Sequence, residues 1–253
     1  MAKFSVVILT KNEETNILDC LETLDNIDEV VIIDDYSTDR TLDAVKSLKR
    51  KNIKIFQHAL DSDFSKQRNF GFSKIKNDWA FFVDADERVS KDLTSEIREV
   101  IEGNQYSGFK VKRSDVMWGK KLKYGETGNI KLARLGLKGK GEWLNTVHEY
   151  WDIKGQIGVL KSELIHYPHQ TVQDFLSEIN LYTTLRADEL FKKNVQVTLL
   201  AIICYPAGKF LQNYFLKLGF MDGIPGFIVA VMMSFHSFLV RSKLWLLNQK
   251  PTK

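Results

Sequence analysis

The sequence predicts an α/β fold, a mixed sheet with helices on both faces followed by a helical, membrane-associated C-terminal region. Three observations lead to this prediction. Short apolar runs alternate with segments of helical periodicity, shorter β-like segments follow Gly103, and two uncharged stretches lie close to the C-terminus. With 253 residues, 44% of them hydrophobic, the chain can bury one substantial core and has residues left for an appendage.

The first part of the chain repeats a strand and helix unit. Each apolar run ends in a polar loop, and helical spacing resumes after the loop, so the strands are expected to run parallel with right-handed crossovers. Ser90 is a suitable N-cap for the helix after the last of these strands, and Gly103 a suitable end for it. The predicted strands are residues 4–9, 29–33, 53–56 and 79–83.

The second part has a different organisation. Residues 108–113, 130–135, 143–148 and 164–166 are β-like and predict a partly antiparallel extension, so the domain built on this sheet is expected to cover residues 1–170. Residues 171–194 are polar and helix-permissive, as expected of a linking helix. Residues 195–253 form a hydrophobic, basic tail. Its two uncharged stretches, 195–208 and 224–240, are short for a membrane span, which favours monotopic insertion with an interfacial helix between them. The polar face of that helix would carry Lys209, Gln212, Asn213 and Lys217.

Acidic side chains follow the predicted parallel strands at the points where the strands end. Asp34 and Asp35 end one strand, and Asp84 and Asp86 end another. Ligand sites in parallel sheets lie outside the carboxyl ends of the strands, so these acids are expected at one edge. Carboxylate oxygens suit Mg²⁺ or Mn²⁺, and a cation there would stabilise the negative charge of a departing diphosphate. An Asp-x-Asp triplet alone is weak support, because such triplets are common in solvated turns.

Four ordered motifs resemble those of inverting family 2 glycosyltransferases with the GT-A fold, a Rossmann-like sheet covered on both faces. The motifs are residues 5–13 (SVVILTKNE), 31–41 (VIIDDYSTDRT), 67–71 (QRNFG) and 83–87 (VDADE). The resemblance implies a UDP-sugar donor and a divalent metal. The nucleotide-sugar residues that it implies are Thr10, Asn12, Glu13, Asp34, Asp35, Arg68, Asp84 and Ala85. Asp86 would be the principal metal ligand and His148 a further one, although a lone histidine beside a strand is more often structural.

Inverting transfer needs a base for the acceptor hydroxyl, and Glu149 is the candidate. Residues 147–149 resemble the Val-His-Glu segment of bacterial members that extend lipopolysaccharide cores, and residues 219–227 (GFMDGIPGF) resemble those enzymes too. A lipid-linked saccharide acceptor, and glucose or another hexose as the transferred sugar, are therefore expected. Two alternatives remain open: a polyprenyl-phosphate glycosyltransferase, whose phosphate acceptor needs no strong base, and a noncatalytic scaffold that binds nucleotide sugars at the membrane.

The distribution of charge indicates where the protein acts. The net charge is +4, but residues 192–253 carry eight Lys or Arg and one acidic residue, so the basic excess lies in the apolar tail. This combination favours an anionic membrane surface over nucleic acid as a partner. The two cysteines, Cys20 and Cys204, suggest neither a disulfide framework nor a zinc site, and residues 1–9 lack a secretory pattern. A peripheral or monotopic location at the cytoplasmic face of the inner membrane is expected, and the oligomeric state stays open.

Overall fold

A computed structural model describes residues 2–61, 63–103, 105–145 and 149–249. The chain divides into two compact units. The first contains Met1–Arg113 and Lys131–His166, and the second contains Ser114–Ile130 and Tyr167–Lys253. The segment 114–130 therefore groups with the C-terminal part of the chain, whereas the sequence predicted a division near residue 170.

The parallel half of the sheet lies in the first unit and follows the predicted order of strands and helices. Its strands are adjacent in the order β3-β2-β1-β4, so the chain reverses its direction of winding at β1. All three pairings are parallel, and Thr10 of β1 aligns with Asp34 of β2. The elements are β1 (Phe4–Thr10), α1 (Ile17–Glu22), β2 (Glu29–Asp34), α2 (Thr41–Ser47), β3 (Ile53–Gln57), α3 (Phe64–Lys74) and β4 (Trp79–Asp84).

The rest of the sheet is built from strands that return in a non-sequential order. Beyond β4 the order is β8-β6-β11-β5, with β8 antiparallel to β4 and β11 antiparallel to β5. The Ser90 side chain caps the helix α4, as the sequence predicted. A separate hairpin pairs β9 with β10. These elements are β5 (Glu87–Val89), α4 (Lys91–Val100), β6 (Gly108–Met117), β8 (Ile130–Leu137), β9 (Gly141–Leu144), β10 (Tyr150–Ile153) and β11 (Ile157–His166), and β7 is described with the second unit.

Both faces of the parallel strands are buried. Alternate residues of β1 enter different core clusters: Val6 and Ile8 pack with the residues of α1 and α4, whereas Val7 packs with Phe72, Phe82 and the tryptophans of the β9–β10 hairpin. Because each face is covered, the strands read as continuous apolar runs rather than as alternating patterns. Gly71 brings α3 close to this sheet, since a Cβ there would lie 2.6 Å from Val7 Cγ1.

The second unit is mainly helical. A short strand, β7 (Lys120–Lys121), pairs with the end of β6, and α5 (Val172–Lys192) begins with a capping box between Thr171 and Asp174. Helices α6 (Leu199–Leu211) and α7 (Gly223–Gln249) follow, joined by a π-helical turn and a 3₁₀ turn. The core of this unit contains Met117, Leu122, Phe175, Ile179, Val229 and Met232.

The tail differs from its sequence prediction in one respect. The expected interfacial helix is interrupted after α6, and Asn213, predicted on its polar face, is only 1% exposed. Among the described residues, one helical stretch, Gly219–Gln249, is long and apolar enough to cross a membrane, with a mean hydropathy of 1.8, and 33% of its most apolar window is buried. Helix α6 has no buried residue, and Cys204 on it is exposed.

Candidate active site

The predicted acidic loops meet at the carboxyl edge of β1, β2 and β4. Asp34 aligns with Thr10, and Asp84 aligns with Leu9, so the loops that follow these strands start side by side. The arrangement arises because β1 pairs in parallel both with β2, the next strand in the chain, and with β4, which follows later. The convergence that the sequence predicted is confirmed.

Two of the loops are joined by hydrogen bonds. Asn12, in a left-handed conformation with φ of 54°, accepts from the Thr38 amide at 2.8 Å and donates its own amide to Ser37 Oγ at 2.9 Å. The Glu13 carboxylate accepts from Asn16. Asp34 is 0% exposed, and its carboxylate accepts from the amide and hydroxyl of Ser37. Asn12, Glu13 and Asp34 thus shape the loops in this structure, and their contact with a nucleotide sugar stays a prediction.

Asp35 and Thr10 lie at the same edge with groups that a ligand could use. The Asp35 carboxylate accepts from the Leu60 amide at 2.9 Å and pairs with the exposed Lys11 ammonium at 2.6 Å. Because Lys11 can move away, one Asp35 oxygen is available to a donor group of a ligand. Among the described residues, Thr10 Oγ1 is one of the buried polar atoms without a hydrogen-bond partner.

Two buried arginines hold the first acid of the triplet. Arg68 Nη2 lies 3.2 Å from Asp84 Oδ1, and Arg134 Nη2 lies 2.5 Å from Asp84 Oδ2 and 3.0 Å from Glu87 Oε1. Burial alone would raise the pKa of Asp84, but the guanidinium groups of Arg134 and Arg68 hold it well below its usual range. Burial raises the pKa of Glu87 to about 7, against the opposing effect of Arg134. Asp84 is therefore the ionised partner of both arginines.

Arg68 also reaches the predicted base. Its Nε donates to Glu149 Oε1 at 3.1 Å, so one side chain connects Asp84 to Glu149. Among the described residues, Arg68 Nη1 and Arg134 Nε and Nη1 are buried without a hydrogen-bond partner. Buried N–H groups of this kind normally have acceptors, and the oxygens of a diphosphate would supply them.

Asp86 does not join the arginine network. Its Oδ2 lies 3.0 Å from His166 Nε2, at the end of β11, and Ala85 between the two aspartates is buried. The two atoms lie at hydrogen-bond distance. Two metal ligands at right angles, each about 2.1 Å from an ion, are also about 3 Å apart, so the pair could serve as two ligands of one cation. Within the described residues no group of three or more His, Cys, Asp or Glu is arranged to hold a metal. His148 lies outside the described residues.

The QRNFG motif connects this site to its surroundings through three consecutive side chains. Gln67 contacts His58 Nδ1 at 2.6 Å, and Arg68 stacks over the Trp143 ring at 4.7 Å. Asn69 both donates to the Trp143 carbonyl and accepts from the Trp143 amide, each at 2.9 Å. Helix α3 is thereby fixed to β9, the strand that leads to Glu149.

Comparison with known proteins gives the family. The model of the family described as glycosyl transferase family 2 matches residues 5–153, more than half of the chain, and this range contains all four motifs. The chain belongs to glycosyl transferase family 2.

Its relatives include bacterial glycosyltransferases. This transferase is 29% identical to the lipopolysaccharide core biosynthesis glycosyltransferase LpsC of Rhizobium meliloti, over 95% of this chain and 91% of the relative. It is 28% identical to an uncharacterized glycosyltransferase of Rickettsia typhi, over 99% of this chain and 89% of the relative. The structure of TarS residues 1–349 from S. aureus with UDP-GlcNAc matches the fold with a TM-score of 0.52 and 16% identity, over 98% of this chain and 92% of that one. The GT-A fold predicted from the motifs is confirmed.

The site of the transferase contains residues that the sequence did not single out. His166 had no motif around it, and Arg134, within the β-like segment 130–135, was not among the predicted site residues. Asn69 and Trp143 were present in quoted segments without a role. The only available signals were a histidine at the end of one β-like segment and an arginine within another, both late in the chain. Cys20, whose Sγ lies 3.7 Å from the Asp84 carbonyl, packs behind the site.

Proposed function

We propose that this family 2 transferase moves glucose or another hexose from a UDP-sugar to a lipid-linked saccharide of the bacterial envelope, such as a lipopolysaccharide core, with inversion at the anomeric carbon. The observation that carries the proposal is the continuous set of contacts from Asp84 through Arg68 to Glu149, beside the Asp86 and His166 pair. The guanidinium of Arg68 suits a diphosphate, and the carboxylate of Glu149, at the end of the set, can accept a proton.

The donor would lie along the edge that carries the buried arginines. Thr10, Asn12 and Asp35 line the loops where the base and ribose of the nucleotide are expected. The unpartnered N–H groups of Arg68 and Arg134 would donate to diphosphate oxygens. Held by two guanidinium groups, Asp84 cannot repel the diphosphate as a free carboxylate would, which favours donor binding.

Asp86 and His166 would hold a divalent cation, Mn²⁺ or Mg²⁺, with His148 as a further predicted ligand. When bound, such a cation stabilises negative charge on the departing UDP. In the transfer, the acceptor hydroxyl oxygen forms a bond to the anomeric carbon as the bond from that carbon to the UDP oxygen breaks. Glu149 takes the hydroxyl proton, and Arg68 and Arg134 retain the diphosphate as its charge grows.

The location proposed for this reaction is the cytoplasmic face of the inner membrane, with the second unit as a peripheral or monotopic anchor. The apolar helix α7 and the basic excess of residues 192–253 support it. The name of the relative LpsC supports an acceptor of the lipopolysaccharide core class.

The test uses purified full-length protein, a panel of labelled UDP-hexoses with Mn²⁺, and lipopolysaccharide core acceptors. We expect transfer that Asp86→Ala abolishes and that Glu149→Gln reduces by about a hundred-fold or more, with donor binding retained in the second variant. Substantial turnover by Glu149→Gln would contradict its role as base and favour transfer to a polyprenyl phosphate. If the protein binds the donor but neither transfers the sugar to any acceptor nor hydrolyses the donor, a noncatalytic scaffold is favoured.

A further inference from the structure

The bend that joins α6 to α7, residues 212–226 including the first turn of α7, is tightly packed. It consists of the π-helical turn Gln212–Leu216, Leu218 in a left-handed conformation with φ of 57°, and the 3₁₀ turn Gly219–Asp222. Gly226 packs against this turn so closely that a Cβ there would lie 2.0 Å from the Gly219 carbonyl oxygen. The bend includes most of the GFMDGIPGF motif. Gly219 is also required by a close approach, because a Cβ there would lie 2.6 Å from the Asn213 carbonyl oxygen, whereas Gly223 is required by its positive φ of 65°.

The segment 119–130 supports the bend from within the same unit. Asp222 is 3% exposed, and its carboxylate accepts from the Lys123 amide at 3.0 Å and the Tyr124 amide at 2.9 Å. Lys120 Nζ donates to the Asp222 carbonyl at 2.6 Å, and the Gly125 amide donates to the Lys217 carbonyl at 2.9 Å. These bonds join two distant parts of the chain and fix the conformation of the bend.

This rigid bend displays large apolar side chains to solvent. Leu216 is 80% exposed and Ile224 is 76% exposed. The other exposed apolar residues of the bend are Phe215, Leu218, Phe220 and Met221. Single exposed apolar residues are ordinary, but six within one bend that hydrogen bonds hold in place indicate an interaction surface. Leu218 ends the helical path, because a continuous right-handed helix cannot contain a left-handed residue. The exposure of the neighbouring apolar side chains is therefore a property of the fold.

Lysines surround the same bend. Residues 119–130 and 209–226 carry five lysines, Lys120, Lys121, Lys123, Lys209 and Lys217, and two acids. Both acids are satisfied internally: Asp222 by the backbone amides, and Glu126 by Lys209 at 2.7 Å and by Asn213. Lys123, in the segment 119–130, and Lys217, in the bend itself, are both exposed. The surface is therefore cationic around an apolar centre.

We propose that this bend and the lysines of residues 119–130 dock on an anionic phospholipid leaflet, with Leu216 and Ile224 inserted among the acyl chains and Lys123 and Lys217 at the headgroups. The inference deepens the proposed membrane location by naming the surface, and it adds residues 119–130, which the sequence assigned to the catalytic domain. Transfer of apolar side chains from water to the acyl chains lowers the free energy, and lysine ammonium groups can remain at the lipid phosphates while their aliphatic stems are buried. A protein partner would need a matching acidic rim, whereas an anionic leaflet supplies the complementary charge at every approach.

The first experiment measures cosedimentation of the full chain with phosphatidylcholine vesicles and with vesicles of equal phosphatidylcholine and phosphatidylglycerol. Each lysine near an anionic surface contributes about a five-fold gain in partitioning, so Lys123→Gln/Lys217→Gln should lose at least about ten-fold on the mixed vesicles. The matched control, Lys51→Gln/Lys110→Gln, removes two exposed lysines of the first unit and should bind as the wild type does. Equal binding by the bend variant and its control would overturn the proposal.

The second experiment tests the apolar centre. Leu216→Ser/Ile224→Ser should weaken binding to the mixed vesicles, whereas Val159→Ser, an exposed residue of the first unit, should not. If the serine variant instead abolishes self-association seen without vesicles and leaves vesicle binding intact, the bend is an interface between two copies and the lipid proposal fails. Binding is measured without donor sugar, and transfer is measured separately in detergent, so failure of either proposal is recognised independently of the other.

Discussion

Replacing Arg134 with methionine is the sharpest test of how the site is held together. The guanidinium is 4% exposed and lies between Asp84, 30% exposed, and Glu87, which is 0% exposed. Its removal leaves the buried Glu87 carboxylate without the guanidinium that compensates its charge, whereas Asp84 is partly exposed to water. Breaking a buried ion pair costs about 3–5 kcal/mol, so Arg134→Met should lower the free energy of unfolding by about that amount at pH 8.

The loss should depend on pH in a definite direction. Burial already raises the pKa of Glu87 to about 7 in the folded protein, and loss of Arg134 would raise it further. A group with a raised folded-state pKa stabilises the fold while it is protonated and loses that contribution as the pH rises through this pKa. At pH 5.5 Glu87 is protonated with or without Arg134, so the difference between variant and wild type should be smaller there than at pH 8.

Urea unfolding in detergent with a chelator present measures these differences. The double variant Arg134→Met/Glu87→Gln removes the uncompensated carboxylate and should regain about 1–3 kcal/mol at pH 8 relative to Arg134→Met. The reasoning is refuted if Arg134→Met is within about 1 kcal/mol of wild type at pH 8, or if its loss is independent of pH.

Three further outcomes follow from other contacts. Asn69→Ala should lower kcat about ten-fold or more with little change in donor affinity, because it releases the strand that leads to the base. The control is Asn77→Ala, which loses a side-chain hydrogen bond at the opposite edge of the sheet. It should reduce stability similarly but leave kcat unchanged. His166→Ala should weaken Mn²⁺ binding, followed by titration calorimetry, about ten-fold or more, and unchanged binding would remove it from the metal site. Gly226→Ala should destabilise the protein by about 1–3 kcal/mol because its Cβ would overlap the Gly219 carbonyl, and a normal unfolding midpoint would contradict the close packing of the bend.

The parallel half of the fold was predictable because its signals are local. Apolar runs buried on both faces and polar loops after each run placed β1, β2 and β4, and the topology of parallel sheets placed Thr10, Asp35 and Asp84 at one edge. The helix N-cap at Ser90 was also readable, since capping depends on residues within one turn.

The other half of the site depends on contacts between residues distant in the chain. Arg134 reaches Asp84 because β8 inserts beside β4, and His166 reaches Asp86 because β11 pairs with β5. No local pattern specifies which antiparallel strand joins a parallel sheet, so these partners could not be derived from spacing. Asn213 was misplaced for a related reason: helical periodicity does not reveal that the chain turns at Leu218.

The two cysteines differ in burial, and this difference allows a spectroscopic label to be attached at a single site. Burial raises the pKa of the Cys20 thiol, which keeps it protonated and unreactive, whereas Cys204 is exposed on α6. A maleimide dye should therefore attach to the native chain at one position. Quenchers placed at known depths in the bilayer could then report whether α6 enters the bilayer and how deeply, without any engineered label site.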